Sequence, residues 1–570
     1  MLDNPTRHRS LTTQLDNMCD TRACGGVTEE KKRSQSGFYD LDVFAGSMEA
    51  LCFMVRLGKV VMEEMIELAI LGFSLCAMKG FQYGLAVVLD GLVVVLFRAA
   101  SKNNIFSSLT ISMDQLYEEV EEPVSPAGQY FNSSFICSYV FGFLEMEIPI
   151  DDSKTLPLIK DVFLPINPRF SSIMIRDENG KRKWKRVEVK PEEHVKIPKF
   201  PESELYDEYF DEYVTKILTE RTPQNKPLWE IHIIKYPTSK AAGTVIFKLH
   251  HALGDGYSLM GALLSCLERI DDPSLPLTFP SRASSTSQAS KKNVIQKLPS
   301  FISSFFSSML DFGSSLVKTR MAVDDKTPIR SGYEGTESMP FALSSISLSL
   351  DHTINDVITG MIFYGIRLYM EEIEYMARKA KSTAVVMLNT RNVKGYQSVK
   401  EMQNSKVKGL WGNKISFLQV PIPKLSQSKS YKPLEFVWNA RKLIKKKRRS
   451  FSVYLIGLLL DLEMKLKGPE AVAKIIYNTL GNCSVVISNI FGPLEQMAVA
   501  NHPISGLYFT MTGGPENIDI TIMSYVKVLR ITLRTLKGFI DEQKFKFCIE
   551  KAFDVIFKAA MEISQTPNNK

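Results

Sequence analysis

The chain has 570 residues, more than one compact core normally uses, so we expect at least two packed units with extensions. Apolar residues make up 45% and charged residues 23% of the sequence, which excludes a wholly disordered chain and a polytopic membrane protein. The net charge of +8 is small beside 70 basic and 62 acidic side chains, so we expect no nucleic-acid partner; an anionic lipid surface or a CoA-like ligand is compatible with it.

The eight cysteines are dispersed along the chain, with no CxxC pair and no Cys/His cluster at zinc spacing. This usage favours a reducing, cytosol-facing compartment and predicts no metal site. The first 40 residues lack a charged segment followed by an apolar one, so no cleavable signal peptide is predicted.

The front of the chain divides into two segments of different composition. Residues 1–40 contain few large apolar side chains and are expected to be disordered, whereas residues 41–120 form an apolar extension. Within it, residues 68–78 and 85–97 are each shorter than the roughly 20 apolar residues of a spanning helix. A membrane span, a pair of buried or amphipathic helices, and a hairpin lying in the membrane all remain open.

From Glu121 onward, short β-branched runs alternate with helical patterns, which predicts an α/β fold. We expect one half at residues 121–275 and a second at 340–565. Residues 276–339 between them are predicted to be a linker containing an amphipathic helix at 299–317, which either packs between the halves or dips into lipid. Strands are predicted at 244–249, 383–388 and 484–488, and helices at 258–268 and 357–370.

Two adjacent histidines, His250 and His251, follow the predicted strand 244–249 and precede a Gly-Asp-Gly turn. Residues at such a strand end face the crevice in which α/β proteins bind their ligands. Histidine suits general-base chemistry there, because an ordinary pKa of about 6.5 leaves the imidazole neutral near pH 7. A neutral imidazole can activate a hydroxyl for attack on a thioester, and the CoA thiolate leaves readily without a covalent acyl-enzyme.

The spacing His250-His251-x-x-x-Asp255-Gly256 resembles the HHxxxDG signature of a superfamily of acyltransferases. That superfamily contains chloramphenicol acetyltransferase, carnitine acyltransferases and peptide-synthetase condensation domains. Further motifs narrow the resemblance, in this order: Glu122-Pro-Val-Ser-Pro126, Pro227-Leu228-Trp229, Asn355-Asp356-Val357, Asn389-Thr-Arg391, Gly412-Asn413 and Ser488-Asn489-Ile-Phe-Gly492-Pro493. Together they resemble the plant-type bifunctional wax ester synthase/diacylglycerol acyltransferase family over residues 121–563.

The resemblance implies a role for each residue of the central motif. His251 would be the base that deprotonates the acceptor alcohol, while His250 would shape the active-site channel. Asp255 would point away from the substrate and hold the loop by pairing with an arginine, for which Arg391 is our candidate. Gly256 would permit a backbone turn that a Cβ atom would hinder.

The outlying motifs allow two interpretations each. Trp229 is either a buried anchor or a substrate contact, and we favour the anchor. Asn355 and Asp356 either cap a helix or support the site. Ser488 and Asn489 either stabilise the tetrahedral oxyanion or make a turn. The basic run at residues 441–449 is a solvated helix face, or it attracts anionic headgroups or CoA phosphates.

The family resemblance implies two chloramphenicol-acetyltransferase-like halves with a tunnel between them. Acyl-CoA and a long-chain alcohol or diacylglycerol would meet at His251, with no bound cofactor, to give a wax ester or triacylglycerol. Since both acceptors are water-insoluble, we expect the cytosolic face of the endoplasmic reticulum membrane, or the plasma membrane. The alternatives are a related enzyme with a soluble acceptor and a catalytically idle, membrane-attached lipid-binding protein; the late DFGWG motif of the former class is absent.

Overall fold

A computed structural model describes residues 122–178, 181–275, 277–279, 323–331, 340–349, 355–391, 411–425, 433–448, 450 and 452–565. The expected disorder at 1–40, the apolar extension at 41–120 and the amphipathic helix at 299–317 lie outside the described residues. Within the described ranges, no helix is both long enough and apolar enough to cross a membrane.

The first half of the described chain contributes short helices and most of one sheet. Its helices are α1 (Pro126–Tyr130), α2 (Thr155–Leu158), α3 (Leu164–Ile166), α4 (Pro191–His194), α5 (Asp207–Thr219) and α6 (Gly256–Ser265). A π-helical turn (Ile159–Phe163) and a 3-10 turn (Pro168–Ser171) flank α3. Its strands are β1 (Tyr139–Met146), β2 (Ser172–Arg176), β3 (Arg182–Arg186), β4 (Val195–Lys196), β5 (Trp229–Ile234), β6 (Gly243–His250) and β7 (Glu268–Arg269).

The second half supplies longer helices and a second sheet. Its helices are α7 (Asn355–Ile373), α8 (Pro433–Arg448), α9 (Ser452–Lys467), α10 (Pro469–Gly481) and α11 (Glu542–Gln565), with a 3-10 turn at Tyr375–Lys379. Its strands are β8 (Phe341–Ser349), β9 (Thr383–Asn389), β10 (Ile415–Pro421), β11 (Val485–Phe491), β12 (Met497–Val499), β13 (His502–Thr512), β14 (Ile518–Tyr525) and β15 (Val528–Leu536).

Three sheets organise these strands. The first has seven strands in the order β4-β5-β6-β1-β13-β12-β7, and the second has six in the order β10-β9-β11-β14-β15-β8. Strands β2 and β3 form a separate antiparallel hairpin. The predicted α/β class is confirmed. The strands predicted at 244–249, 383–388 and 484–488 and the helices predicted at 258–268 and 357–370 are present, with ends moved by a few residues.

The two halves share the first sheet, because β12 and β13 come from the second half of the chain. β13 pairs antiparallel with β1, placing Tyr139 opposite Thr512, and β1 pairs on its other side with β6, placing Tyr139 opposite His250. The boundary predicted between the halves therefore divides the chain in sequence, but strands from both sides of it form this sheet. The expected tunnel between the halves stays a prediction.

Both faces of the first sheet are covered, so its central strands are buried along their whole length. All eight residues of β1 and all eight of β6 are buried. Side chains such as Phe141 and Ile246 pack on one face, and Leu144 and Phe247 pack in the larger core on the other. Burial on both faces explains why these strands are mostly apolar in sequence, and it fixes the strand end that carries the two histidines.

Candidate active site

The two histidines sit where β6 ends. The backbone N–H of His250 donates to the Leu228 carbonyl at 3.0 Å, and that of His251 donates to the Ser138 carbonyl at 2.8 Å. Both residues are buried, with exposed fractions of 0% and 3%. The sheet therefore holds the backbone of both residues from two sides.

The ring of His250 has both nitrogens engaged. Its Nδ1 accepts a hydrogen bond from the Ala252 backbone N–H at 3.0 Å. In the neutral ring the proton is consequently on Nε2, which lies 3.7 Å from the Cys137 sulfur. Burial, with smaller contributions from positive charge on His251 and Arg221, lowers the pKa of His250 to about 3. His250 is thus a neutral hydrogen-bond donor at physiological pH.

The ring of His251 has a different environment. It stacks on Phe131 with ring centroids 4.2 Å apart, and its backbone carbonyl accepts from Asn413 Nδ2 at 2.8 Å. Burial lowers the pKa of His251, while Asp255, its own backbone carbonyl and Asn413 oppose that shift. The imidazole is therefore neutral near pH 7 and can accept a proton.

Asp255 and Arg391 form the ion pair expected from the sequence. Arg391 Nη1 lies 2.6 Å from Asp255 Oδ2 and Nη2 lies 2.9 Å from Oδ1, and neither side chain is exposed. Asp255 also caps α6 by accepting from the Ser258 backbone N–H at 3.1 Å, and it accepts from the Lys414 N–H at 2.8 Å. The carboxylate is directed into this network, which holds the loop after His251.

Two residues to which the sequence gave no role, Ser258 and Asn413, complete the network. The Ser258 hydroxyl donates to the Gly412 carbonyl at 3.1 Å and accepts from Arg391 Nη2 at 3.0 Å. Gly412 has φ of +105°, a conformation that favours glycine, and its carbonyl also accepts from Arg391. The Gly412-Asn413 motif in the sequence pointed to these contacts, since the glycine shapes the loop and the Asn413 amide donates to the His251 carbonyl.

Gly256 has a different setting from the one inferred from sequence. We expected a backbone turn, but Gly256 is absent from the glycines with positive φ and forms the first turn of α6. A Cβ atom there would lie 2.7 Å from Ile490 Cδ1. The close approach of β11 therefore favours a residue without a side chain here, and it brings the segment carrying Ser488 and Asn489 next to the histidine loop.

The other predicted residues occupy varied positions. Ser488 and Asn489 lie within β11, where both pair with β14, so they are in a strand and not in a turn. Asn355 and Asp356 begin α7, but their side chains lie outside the described residues, so their role stays a prediction.

Trp229 is built into the core. Its indole N–H donates to the Phe170 carbonyl at 2.8 Å, and its ring stacks on His194 at 4.2 Å. It is fully buried on β5, opposite Leu249 of β6. These contacts support the interpretation of Trp229 as an anchor for the strand that carries the histidines.

No cofactor-holding group is evident among these side chains. The described part of the chain contains no cluster of histidine, cysteine and carboxylate side chains that could hold a metal ion. The chemistry that these side chains offer is that of a neutral imidazole in a loop fixed by a buried ion pair.

Asp255→Asn should lower both folded yield and activity, because it leaves the Arg391 guanidinium buried without a counter-charge, at a cost of about 3–5 kcal/mol. Denaturant unfolding measures the change, with the exposed Asp161→Asn as the matched control. Adding Arg391→Gln should recover part of the lost free energy of unfolding. Unchanged stability with reduced activity would contradict the structural role of Asp255.

Two protein-family models match this chain. A model of the wax ester synthase/diacylglycerol acyltransferase catalytic domain matches residues 167–357, and a model of the WS/DGAT C-terminal domain matches residues 411–557. Wax ester synthase/diacylglycerol acyltransferase 4 from Arabidopsis thaliana is 27% identical over 451 residues, covering 73% of this chain and 86% of the relative. The corresponding protein 3 is 27% identical over 476 residues, covering 79% and 97%.

Among solved structures, the wax ester synthase/diacylglycerol acyltransferase from Marinobacter aquaeolei VT8 has a TM-score of 0.48 and 15% identity, covering 77% of this chain and 100% of that chain. The first condensation domain of the calcium-dependent antibiotic synthetase has a TM-score of 0.47 and 12% identity, covering 77% and 96%. The two family models together span more than half of the sequence. The chain belongs to the wax ester synthase/diacylglycerol acyltransferase family.

Proposed function

We propose that this chain is an acyl-CoA-dependent O-acyltransferase that esterifies long-chain alcohols, diacylglycerol or both, with His251 as the general base. The observation that carries the assignment is the buried, neutral imidazole of His251 on the Asp255 loop, in a chain of this family. The products are wax esters and triacylglycerol. Acyl-CoA is the acyl donor and enters as a co-substrate.

The choice between the two histidines follows from their hydrogen bonds. A base needs a nitrogen lone pair directed at the substrate, and the single lone pair of neutral His250 is occupied by the Ala252 N–H. Among the described residues, the buried Nδ1 of His251 has no hydrogen-bond partner, whereas Nδ1 of His250 is occupied by the Ala252 N–H. The neutral ring of His251 can therefore offer a lone pair to the substrate hydroxyl.

The reaction then needs one proton carrier. The free nitrogen of His251 takes the hydroxyl proton as the acceptor oxygen attacks the thioester carbonyl, giving a tetrahedral intermediate. Collapse of that intermediate re-forms the carbonyl, breaks the carbon–sulfur bond and releases the CoA thiolate, which the imidazolium protonates. Positioning two substrates beside one base accounts for much of the rate enhancement in such a mechanism.

Stabilisation of the oxyanion is assigned to the Ser488-Asn489 segment of β11. The support for this role is the close approach of Ile490, the residue after Asn489, to Gly256 at the end of the histidine loop. Hydrogen-bond donors held rigidly in a strand are suited to this role, because they need no reorganisation as charge develops.

His251→Ala should reduce ester formation by at least about 100-fold, the usual contribution of a general base. The assay measures transfer from radiolabelled acyl-CoA to hexadecanol and to diacylglycerol. His250→Ala is the matched control, since it removes the neighbouring buried imidazole. We expect lower stability, but the activity of the protein that remains folded should fall by at most about tenfold. Near-normal activity of His251→Ala would refute the mechanism.

The dependence of the rate on pH should report the lowered pKa of His251. The base works only when it is deprotonated, so activity should be constant from pH 7 to 8. It should decline only as the pH falls below the ordinary histidine value of about 6.5. Initial rates at saturating substrate between pH 5 and 8 test this, and an acidic midpoint above 7 would contradict the environment described for His251.

We also propose that the enzyme works at a membrane surface, the cytosolic face of the endoplasmic reticulum or the plasma membrane, because its acceptors are water-insoluble. The support from the described chain is an exposed leucine stripe on α9, formed by Leu458, Leu462 and Leu466 with exposed fractions of 50%, 43% and 64%. Their spacing of four residues places them on one helix face.

Basic side chains lie close to this leucine stripe in the sequence. Lys465 of α9 is exposed, and so are Lys445, Lys446 and Arg448 at the end of α8, which three residues separate from α9. The described part of the basic run is therefore an exposed helix end, which both interpretations from the sequence allow. Leucines beside lysines are the composition of a face that inserts among anionic headgroups.

Replacing all three leucines of the stripe by serine should weaken binding to phosphatidylserine-containing vesicles by at least about tenfold, since full burial of one leucine is worth about 1.5–3 kcal/mol. Co-sedimentation measures the bound fraction. Leu205→Ser is the matched control, because Leu205 is 65% exposed and lies elsewhere. If the wild type, the triple variant and Leu205→Ser bind equally well, α9 is not part of the membrane-binding surface.

A further inference from the structure

An arginine-lined cavity lies beside the histidine loop and has no role in the chemistry above. Its volume is about 350 Å³. Three arginines, Arg176, Arg182 and Arg221, line it together with the polar side chains of Asn132 and Thr222 and the thiol of Cys137. Arg176 and Arg221 are exposed, so the cavity opens to solvent on its basic side.

The positive charge of this cavity is not neutralised by ion pairs. Within the described ranges, Arg176 and Arg221 form no salt bridge, and Arg182 donates only to the carbonyls of Gln129 and Asn132, at 3.1 and 2.6 Å. The carboxylate that acts on Arg182 is Glu470, which accepts from the Ser134 hydroxyl at 2.7 Å. The cavity therefore keeps an excess of positive charge.

Two of the arginines are held in an unfavourable arrangement. Arg176 of β2 and Arg182 of β3 are directly opposite in the antiparallel hairpin, where like charges destabilise a strand pair. Burial lowers the pKa of Arg182, and the charge of Arg176 lowers it further. An anion bound between them would turn this repulsion into attraction, and guanidinium groups are well suited to phosphate.

The cavity adjoins the catalytic residues through two side chains. Cys137 lines it, and its sulfur lies 3.7 Å from Nε2 of His250. The positive charge of Arg221 contributes to the lowered pKa of His250. Asn132 also lines it, directly after Phe131, whose ring stacks on His251. The basic rim thus faces solvent. The inner wall contacts His250 through Cys137 and lies next to Phe131, which stacks on His251.

We propose that this three-arginine cavity binds the phosphate groups of acyl-CoA, with the phosphates at the rim formed by Arg176 and Arg221. The proposal rests on the acyl-CoA-dependent function proposed above. A phosphorylated lipid headgroup or free phosphate would offer the same chemistry. CoA is favoured because the cavity adjoins the histidine pair where the thioester must react.

Kinetics give the first test. Arg176→Gln combined with Arg221→Gln removes two charge-assisted contacts and should raise the KM for acyl-CoA about tenfold, with kcat and the KM for the alcohol little changed. Arg186→Gln is the matched control, because Arg186 is exposed on the same hairpin but does not line the cavity. An unchanged KM for acyl-CoA in the double variant would overturn the proposal.

Alkylation of Cys137 gives a second test that needs no turnover. With the full-length wild-type protein, CoA and adenosine 3',5'-bisphosphate should each slow iodoacetamide labelling of the Cys137 peptide, measured by mass spectrometry. The double variant should lose this protection while Arg186→Gln keeps it. Protection without any ester synthesis would disprove the proposed function but keep the cavity assignment.

Two further arms identify the source of the phosphate. Inorganic phosphate at the same concentration should protect Cys137 much less than CoA does, and phosphatidylglycerol vesicles should not protect it. If phosphate protects as well as CoA, or if the vesicles protect and CoA does not, the CoA assignment is wrong. If the enzyme synthesises ester but CoA does not slow the labelling of Cys137, the cavity assignment is wrong and the proposed function stands.

Discussion

The site depends on one buried ion pair. Asp255 belongs to the first half of the chain and Arg391 to the second, and their bidentate contact has no solvent access. Removing two charges from water is costly, so the contact is tolerable only because backbone N–H groups and the Ser258 hydroxyl complete the hydrogen bonding. The pair therefore joins the two halves directly beside the loop that carries His251.

Much of this arrangement could be predicted from sequence, because it depends on local patterns. The apolar run before His250 indicates a buried strand, and the aspartate at residue 255 indicates the start of α6. Sequence could not supply contacts between distant segments. The spacing of Gly256 against Ile490, and the amide of Asn413 on His251, depend on tertiary packing that no local period encodes.

The two histidines show how neighbouring residues of one type acquire different properties. Both are buried, so desolvation lowers the pKa of each and keeps both rings neutral. What separates them is the surroundings of Nδ1: a backbone N–H fixes the tautomer of His250, while the buried Nδ1 of His251 has no hydrogen-bond partner among the described residues. A sequence motif names both residues equally, and only the hydrogen bonds distinguish His250 from the proposed base.

The exchange of β12 and β13 into the first sheet has a consequence for how the protein is made. Ser505 of β13 donates to the carbonyl of Glu145 in β1, a contact between residues 360 positions apart. Until residue 512 has left the ribosome, β1 has one unpaired edge, which is a site of mispairing. Such distant contacts form slowly, so the newly made first half must wait, partly exposed, for the strands that complete it.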